Sequence, residues 1–275
     1  MKIKADLHIH STLSDGSNDM DAIFRHAAAQ GLTHVSLTEH DTSLGYDQAK
    51  RLGAKYGVTA IAGVEFSAYD YTRGVRAHIL GYGMGDMEPI EALGQPLLRR
   101  RHENSLRQID TLRRLGYNLD VDAIAAKGSG VIYKQHIMHV MVERGFAQSI
   151  GGDTFRSLFK GEGPCAFDIE YLDAQDAIAA VRCAGGVAML AHPGQQGNFG
   201  SIRGLVLAGL QGLELYHHAN SVYDRTQIAE YAHCYGLLLT GGSDHHGLYE
   251  NNSPAVGDYL CPAHTMERLM DSGAF

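Results

Sequence analysis

The chain opens with Lys2-Ile3-Lys4-Ala5-Asp6-Leu7-His8-Ile9-His10-Ser11-Thr12-Leu13-Ser14-Asp15-Gly16, and this stretch decides the fold. With a period of two residues, an apolar face runs from Ile3 to Ile9, and the opposite face carries Asp6, His8 and His10. The strand ends in a Ser/Asp/Gly turn that contains Asp15. Two imidazoles and a carboxylate on one face predict the edge of a metal site, whose other ligands should follow later strands.

Length and composition indicate one large α/β domain with room for an insertion. The chain has 275 residues, of which 44% are hydrophobic and 20% are charged. No apolar run approaches the roughly 20 residues that cross a bilayer, and no signal-like hydrophobic region precedes Asp6. Four widely spaced cysteines favour free thiols in a reducing compartment. We therefore expect a cytoplasmic protein without a membrane partner.

Charge and histidine content narrow the class of function. The formal net charge of −8 argues against a broad surface for nucleic acid, so we expect no stable nucleic-acid complex. Sixteen histidines and no tryptophan form an unusual composition. The histidines therefore need a functional explanation.

Strand and helix patterns alternate in both halves of the chain. Seven strands are predicted: the opening one, and residues 33–37, 58–64, 75–82, 187–191, 212–216 and 237–240. Helices are predicted over residues 20–30, 44–56, 173–184, 201–209, 222–235 and 263–271. Short connections between them predict a parallel sheet with right-handed crossovers. In a (β/α) barrel of this kind, the active site lies at the C-terminal ends of the strands.

The alternation stops between residues 85 and 165, where helices are predicted over residues 96–115, 121–126 and 135–144. We interpret residues 85–165 as an inserted helical, substrate-capping subdomain, and residues 1–84 and 166–275 as the barrel. The first of these helices carries six arginines. A solvated helix face is the more common explanation of such a run, and the alternative is that one or two of them reach a second phosphate. The six are Arg99, Arg100, Arg101, Arg107, Arg113 and Arg114.

Metal-capable side chains recur where the predicted strands end. Taken singly, each could be a turn residue or a packed histidine. Taken together, so many ligands in one barrel mouth would be electrostatically prohibitive without cations. The candidate metal ligands are His8, His10, Asp15, His40, Glu65, His78, His192, Asp244 and His246.

Nine ligands are too many for one ion, which takes about four to six. We therefore expect two or three divalent ions with a bridging carboxylate. Imidazole and carboxylate without thiolate suit Mn²⁺, Zn²⁺ or Fe²⁺ better than a structural zinc site. Clustered ions lower the pKa of a bound water and clamp the oxygens of an in-line displacement. That chemistry is phosphoester hydrolysis or, less often, amide hydrolysis.

Six segments together resemble the PHP (polymerase and histidinol phosphatase) family, most closely its stand-alone phosphoesterases. The resemblance implies an α/β fold, a distorted seven-stranded (β/α) TIM-like barrel with a helical insertion, and a multinuclear centre that most often holds manganese. The segments are Asp6-Leu7-His8-Ile9-His10-Ser11, Thr38-Glu39-His40-Asp41, Gly63-Val64-Glu65, His78-Ile79-Leu80-Gly81-Tyr82, Ala191-His192-Pro193-Gly194 and Gly242-Ser243-Asp244-His245-His246-Gly247.

The resemblance also implies how the ligands are shared among the ions. One ion would take His8, His10, Glu65 and Asp244. A second would take His78 and His192, with Glu65 as the bridge. The third would take Asp15, His40 and His246.

In the proteins that the chain resembles, a Gly-Arg-Pro-His segment of the insertion reaches the phosphate, and its nearest match here is Tyr133-Lys134-Gln135-His136. Lysine keeps the charge of arginine but loses its bidentate fork. We expect Lys134 and His136 to neutralise phosphoryl oxygens, and Asp244 to accept the proton of the attacking water. His192 stands beside them as a catalytic residue and ligand.

The branch that the chain resembles contains phosphatases that remove the 3′-phosphate of adenosine 3′,5′-bisphosphate, and 5′→3′ exonucleases acting on short RNA or DNA. The acidic net charge favours a small nucleotide over a polymer, which requires a basic groove. Our prediction is therefore a metal-dependent phosphatase of a 3′,5′-bisphosphonucleotide. The alternatives are the exonuclease, a histidinol phosphatase and a metal-dependent amidohydrolase.

Two further carboxylates, Asp6 and Glu39, allow two interpretations. They orient the ligating histidines, or they cap turns.

Overall fold

The computed structural model describes residues 3–250 and 253–271, so Lys2 of the opening stretch lies outside the described residues. The strands are, in chain order, Ala5–Ile9 (β1), His34–Leu37 (β2), Thr59–Phe66 (β3), Ala68–Asp70 (β4), Val75–Arg76 (β5), Ile79–Tyr82 (β6), Leu172–Asp173 (β7), Val187–Leu190 (β8), Gly212–Tyr216 (β9) and Leu238–Gly241 (β10). The α-helices are Met20–Ala29 (α1), Tyr46–Tyr56 (α2), Glu88–Arg114 (α3), Val121–Ala125 (α4), Lys134–Glu143 (α5), Asp153–Phe159 (α6), Ala174–Cys183 (α7), Pro193–Gln196 (α8), Ile202–Leu207 (α9), Val222–Tyr235 (α10) and Ala263–Asp271 (α11).

The main sheet is a nearly closed barrel of seven strands in the order β1-β2-β3-β6-β8-β9-β10. The segment after β10 completes the closure, because the Asp244 amide donates to the His8 carbonyl at 2.7 Å and the His10 amide donates to the His245 carbonyl at 3.0 Å. Gly242 is required at this seam, since a Cβ there would collide with the backbone of His8. The predicted seven-stranded barrel is confirmed.

One strand departs from the predicted parallel sheet. Strand β6 runs antiparallel to both of its neighbours, β3 and β8. The connection from β3 to β6 holds only the short strands β4 and β5, and a parallel pairing would need a longer crossover, usually helical. The predicted strand 75–82 is divided accordingly, with His78 between β5 and β6.

Helix α3 joins the barrel to the inserted helices. Its N-terminal half packs Ile90 and Leu97 into the barrel core, whereas Ile109 and Leu112 belong to a separate core shared with α5. The helix is therefore longer than predicted, and it contributes to both hydrophobic cores. None of the helices in the described ranges combines the length and apolarity of a membrane span. All four cysteine thiols are free, as predicted.

Arg101 ties α3 to the barrel mouth. Its guanidinium donates to Asp41 at 2.9 Å and to Ser67 at 2.7 Å, and it lies over the ring of Tyr133. The side chain of Arg101 is 17% exposed, and that of Asp41 is fully buried. Gly94 of the same helix packs against the Asp41 carbonyl, where a Cβ would collide. Among the six arginines of this helix, Arg101 is thus a buried residue that links α3 to the barrel through Asp41 and Ser67.

We expect Arg101→Leu to lower the free energy of unfolding by about 3–5 kcal/mol, because the substitution leaves the Asp41 carboxylate buried without its charged partner. Urea unfolding measures the change. Arg114→Leu on the same helix is the matched control, since Arg114 is 78% exposed and pairs with Asp110 at the helix surface. Its expected change is within about 0.5 kcal/mol. Equal changes in the free energy of unfolding for the two substitutions would show that the buried Arg101–Asp41 ion pair does not stabilise the fold.

Candidate metal centre

The nine predicted ligands lie together at one end of the barrel. Most of them follow the C-terminal ends of parallel strands, as the barrel geometry requires. His78 instead precedes β6, and it reaches the same end because β6 runs in the opposite direction. The reversal of this one strand therefore places the ninth ligand.

A first group forms around β1, β3 and the end of β10. Asp244 Oδ1 lies 3.1 Å from Nε2 of both His8 and His10, and Glu65 Oε2 lies 3.3 and 3.2 Å from the same two nitrogens. All four residues are buried, and their donor atoms are close enough to hold one cation. His8 Nε2, His10 Nε2 and Asp244 Oδ1 have no hydrogen-bond partner. Buried nitrogen and oxygen atoms that have no hydrogen-bond partner are suited to coordinate a metal ion.

The second oxygen of Glu65 begins another group. Oε1 lies 2.9 Å from His78 Nδ1 and 3.0 Å from His192 Nε2, and Oε2 lies 3.3 Å from His40 Nδ1. The carboxylate of Glu65 thus faces both groups, as a bridging ligand must.

A third group surrounds Asp15. Its carboxylate lies 3.4 Å from His246 Nε2, 3.7 Å from His40 Nε2 and 3.8 Å from His10 Nδ1. His10 and His40 therefore each face two groups, one with each ring nitrogen. The family resemblance implied only one ion for each of these two residues, the first ion for His10 and the third for His40.

Mutual charge interactions set the protonation of the ligands. Burial acts to raise the pKa of Glu65 and of Asp244, but neighbouring histidines hold both values well below the usual range. Burial lowers the pKa of His40 to about 4, so that ring is neutral. For His246, burial acts to lower the pKa, but Asp15 and Asp244 raise it to about 10. A cation entering the third group would displace this proton.

Among the buried residues outside the nine, Glu214 and His217 contact the ligands directly, and sequence reasoning missed their roles. Glu214 on β9 lies 2.9 Å from His8 Nδ1 and accepts from the His192 amide at 2.8 Å. His217 Nε2 lies 3.1 Å from Asp244 Oδ2. A signal was present for Glu214, which is a carboxylate inside a strand that was predicted from residue 212 to residue 216.

Asp6 and Glu39 do not contact imidazole rings. Asp6 accepts from the backbone amides of Ser243 and Gly257 at 2.9 and 2.8 Å. Glu39 accepts from the hydroxyls of Ser11 and Ser14. Both carboxylates therefore hold turns in place, and Glu39 also acts on His10 through Ser14, whose hydroxyl lies 3.4 Å from His10 Nδ1.

The backbone is strained at three points around the centre. Asp41, His192 and Asp244 have φ values of 62°, 27° and 54°, a region that side chains other than glycine rarely adopt. Each follows the end of a strand at the barrel mouth. Strain of this kind persists where the surrounding structure over-determines it, which is common at functional sites.

Two adjoining cavities open onto the ligands. The larger, of about 650 Å³, is lined by Glu65, His192, Asp244 and Tyr249, among others. The smaller, of about 190 Å³, lies beneath the inserted helices and is lined by four cations. Both cavities are bordered by Asp15, His40, Arg76, His78 and Gln135. The four cations of the smaller cavity are Arg76, Arg101, Lys134 and Lys160.

The side chains of the segment from Tyr133 to His136 differ in whether they line the two cavities. Lys134 lines the smaller cavity, and its Nζ lies 3.3 Å from Asp168 Oδ1. Gln135 lines both cavities and donates to Asp15 at 3.0 Å. His136 is fully buried, its Nδ1 accepts from the Tyr133 amide at 3.3 Å, and it borders neither cavity. Of the two predicted phosphate contacts, Lys134 therefore faces the smaller cavity and His136 faces neither, whereas Gln135 lines both cavities.

Comparison with known proteins agrees with this geometry. A family model described as the PHP domain matches residues 6–232. A phosphoribosyl 1,2-cyclic phosphate 1,2-diphosphodiesterase from Eggerthella lenta is 42% identical over 92% of this chain and 97% of that protein. A 5′-3′ exoribonuclease from Haemophilus influenzae is 31% identical over 90% of this chain and 91% of its own.

Two further matches cover most of the chain. A 3′,5′-nucleoside bisphosphate phosphatase from Chromobacterium violaceum is 29% identical over 88% of this chain and 86% of that protein. A crystal structure from Bifidobacterium adolescentis, of a protein proposed to be a metal-dependent phosphoesterase, superposes with a TM-score of 0.88 at 26% identity. The alignment covers 97% of this chain and 95% of that one.

Proposed function

The chain belongs to the PHP domain family, and we propose that, as a metal-dependent phosphoesterase of this family, it hydrolyses a small phosphorylated ribose compound that carries a second phosphate. The observation that carries the proposal is the cationic cavity beside the ligand cluster. One phosphate would occupy the cluster, and the other would lie against the cations. A substrate with phosphates at both ends of a ribose matches two adjoining sites of this kind.

The nine ligands, from His8 to His246, would hold two or three divalent ions, with manganese as our first choice and zinc or iron as alternatives. The ions would supply a nucleophilic water and stabilise charge on the phosphoryl oxygens. The side chains of the cap have a separate task. Lys134 and Arg76 would bind the second phosphate, and Gln135 would orient Asp15 through its amide. Asp244 is our candidate to accept the proton of the attacking water.

The Lys134–Asp168–Arg76 arrangement supports a charged occupant in the smaller cavity. One oxygen of Asp168 faces Lys134 at 3.3 Å, and the other faces Arg76 at 3.2 Å. The carboxylate of Asp168 thus pairs with two cations, Lys134 from the inserted helices and Arg76 from the barrel. With Arg101 and Lys160 also lining the cavity, its four cations outnumber its two carboxylates, Asp15 and Asp168. A phosphate dianion would balance the excess.

The first candidate substrate is a phosphoribosyl 1,2-cyclic phosphate, because the relative with that activity is 42% identical over nearly its whole length. The phosphorus of the cyclic diester is bonded to two oxygens of the sugar. One water would open the ring to a monoester, and a second would release inorganic phosphate from the sugar. Both steps are hydrolyses, so no oxidant or other co-reactant is needed.

The second candidate is a 3′,5′-bisphosphonucleotide such as adenosine 3′,5′-bisphosphate, which also carries two phosphates on one ribose. A relative with this activity is 29% identical. A 5′→3′ exonuclease on short oligonucleotides ranks third, since the net charge of −8 disfavours a polymer. Histidinol phosphate has one phosphate and would leave the cationic cavity empty.

A phosphate-release assay with the manganese-loaded protein tests these substrates against each other. We expect release from phosphoribosyl 1,2-cyclic phosphate at the highest kcat/KM, followed by adenosine 3′,5′-bisphosphate. Mononucleotide release from a 5′-phosphorylated oligomer, at a higher kcat/KM than either, would favour the exonuclease instead. No turnover of either small compound would overturn the proposal of a two-phosphate substrate.

We expect Lys134→Ala to raise KM about 10- to 100-fold while kcat changes much less, because a charge-assisted hydrogen bond contributes about 1.5–3 kcal/mol. The second phosphate is bound equally in the ground state and the transition state, so its loss should appear in KM. Steady-state kinetics on the preferred substrate measure the two constants. Lys55→Ala is the control, since Lys55 pairs with Asp21 at the surface and borders neither cavity. A fall in kcat alone would contradict the assignment.

A further inference from the structure

His217 is a buried histidine beside the ligand cluster that the nine-ligand set leaves unexplained. It follows β9 and is fully buried. Its Nδ1 lies 3.1 Å from the backbone nitrogen of Ala219, which can only donate a hydrogen bond, so Nδ1 is the unprotonated nitrogen. In the neutral ring the proton then lies on Nε2, which is 3.1 Å from Asp244 Oδ2. His217 therefore donates to Asp244.

The two oxygens of Asp244 have different surroundings. Oδ2 accepts from His217, whereas Oδ1 faces the cluster, 3.1 Å from Nε2 of His8 and of His10. Oδ1 is buried and has no hydrogen-bond partner. The residue also has a positive φ of 54°, so its orientation is held by its surroundings rather than by its own backbone preference.

We propose that His217 is a positioning residue, whose Nε2–H holds Oδ2 of Asp244 and thereby assigns Oδ1 as the single oxygen that faces the metal ion and the reacting water. Asp244 would then offer a bound ion one oxygen only. Glu214 does the equivalent for His8, since its carboxylate takes the Nδ1 side of the ring at 2.9 Å and leaves Nε2 for the ion. Hydrogen bonds of this kind fix the orientation of ligands and raise metal affinity.

The same trio of His8, Glu214 and His217 could instead hold an additional ion, because their donor atoms are close together. The hydrogen bonds disfavour that arrangement. His217 Nδ1 is occupied by the Ala219 amide, and His8 would need to give both ring nitrogens to metals. Each polar atom of the trio that faces the others is satisfied by a hydrogen bond within the protein.

The matched variants are His217→Gln and His217→Asn. The glutamine amide extends to about the position of Nε2 and can still donate to Asp244. The asparagine amide extends only to about the position of Nδ1, so it can accept from Ala219 but cannot reach Asp244. Both variants are polar and smaller than histidine, so a general effect of the substitution should be similar in the two.

The readout is manganese affinity, measured by competition with a chelator, together with the number of ions per chain. We expect His217→Asn to bind the most weakly held ion about 10- to 100-fold less tightly than the unmodified protein, and His217→Gln to remain within about threefold. Thermal unfolding of the metal-free variants checks that both fold. His233→Gln, an exposed histidine on α10, is the surface control and should match the unmodified protein.

Equal affinities of the two variants, whether both normal or both weak, would overturn the positioning role. Loss of one complete ion in both variants would assign His217 as a ligand instead. The inference rests on the proposed function only through the metal cluster. Because metal binding is read directly, a wrong substrate would leave this experiment unaffected.

A double-mutant cycle with Asp244→Asn provides an independent check. If His217 acts only through Asp244, the losses of metal affinity from His217→Asn and Asp244→Asn should be far from additive. Additive losses would show that His217 acts elsewhere.

Discussion

We expect His10→Ala to lower the rate of phosphate release at least about a hundredfold, because this one ring serves two groups of ligands. Its Nε2 lies 3.1 Å from Asp244 Oδ1 and 3.2 Å from Glu65 Oε2, and its Nδ1 lies 3.8 Å from Asp15. Removing the imidazole therefore weakens both groups at once. The measurement is turnover on the preferred phosphoester, together with metal content per chain.

His26→Ala is the matched control for this substitution, since His26 is an exposed histidine on α1 that borders neither cavity of the metal centre. Its turnover should remain within about twofold, as for other surface substitutions away from the site. A His10→Ala protein with normal turnover and full metal content would remove His10 from the centre.

Metal removal is expected to have the second large effect. Exhaustive chelation should abolish turnover and lower the melting temperature by about 5–10 °C. A ligand present at a hundred times its Kd contributes about 2.7 kcal/mol, and for a chain of this size about 1 kcal/mol shifts the melting temperature by about 2–4 °C. The physical reason is that the ions bind the folded chain, in which Asp15, Glu65 and Asp244 are buried and depend on neighbouring histidines alone for balancing charge once the ions are removed.

Addition of manganese should restore both the rate and the melting temperature. Calcium is the informative comparison, because a site of imidazoles and carboxylates favours transition metals over a hard, oxygen-preferring cation. A metal-free protein that retains its turnover would contradict the assignment of the centre. A protein that regains its melting temperature but not its turnover would separate folding from catalysis.

Much of the fold could be predicted because its signals are local. The strand Gly212–Tyr216 and the helices Val222–Tyr235 and Ala263–Asp271 have the bounds that periodicity predicted. The seven-stranded barrel is confirmed, and so is the class of enzyme, since the chain is a metal-dependent phosphoesterase of the PHP family. Helix α6 was not predicted, because Asp153–Phe159 is short and follows a glycine-rich joint.

The strand direction of β6 is not encoded in its own residues. A strand that is buried on both faces looks alike in either direction, so Ile79–Tyr82 was predicted as a parallel strand. Its direction follows from the short connection through β4 and β5, and that direction brings His78 to the end of the barrel where the other ligands lie. His78 was predicted as a ligand because it lies inside the predicted strand 75–82, and the reversal of β6 is what places it beside the other ligands.

By itself, the sequence determined which side chains follow the strand ends, and hence that His8, His10, Glu65 and Asp244 meet in a barrel mouth. Alternation and strand order are local properties, and they suffice for that conclusion. Only the tertiary structure decided the contacts between distant segments. It paired Asp244 with His217, tied Arg101 to Asp41, and turned Gln135 rather than His136 toward the cavities. Such contacts depend on the packing of helices and loops, which no periodicity in the chain records.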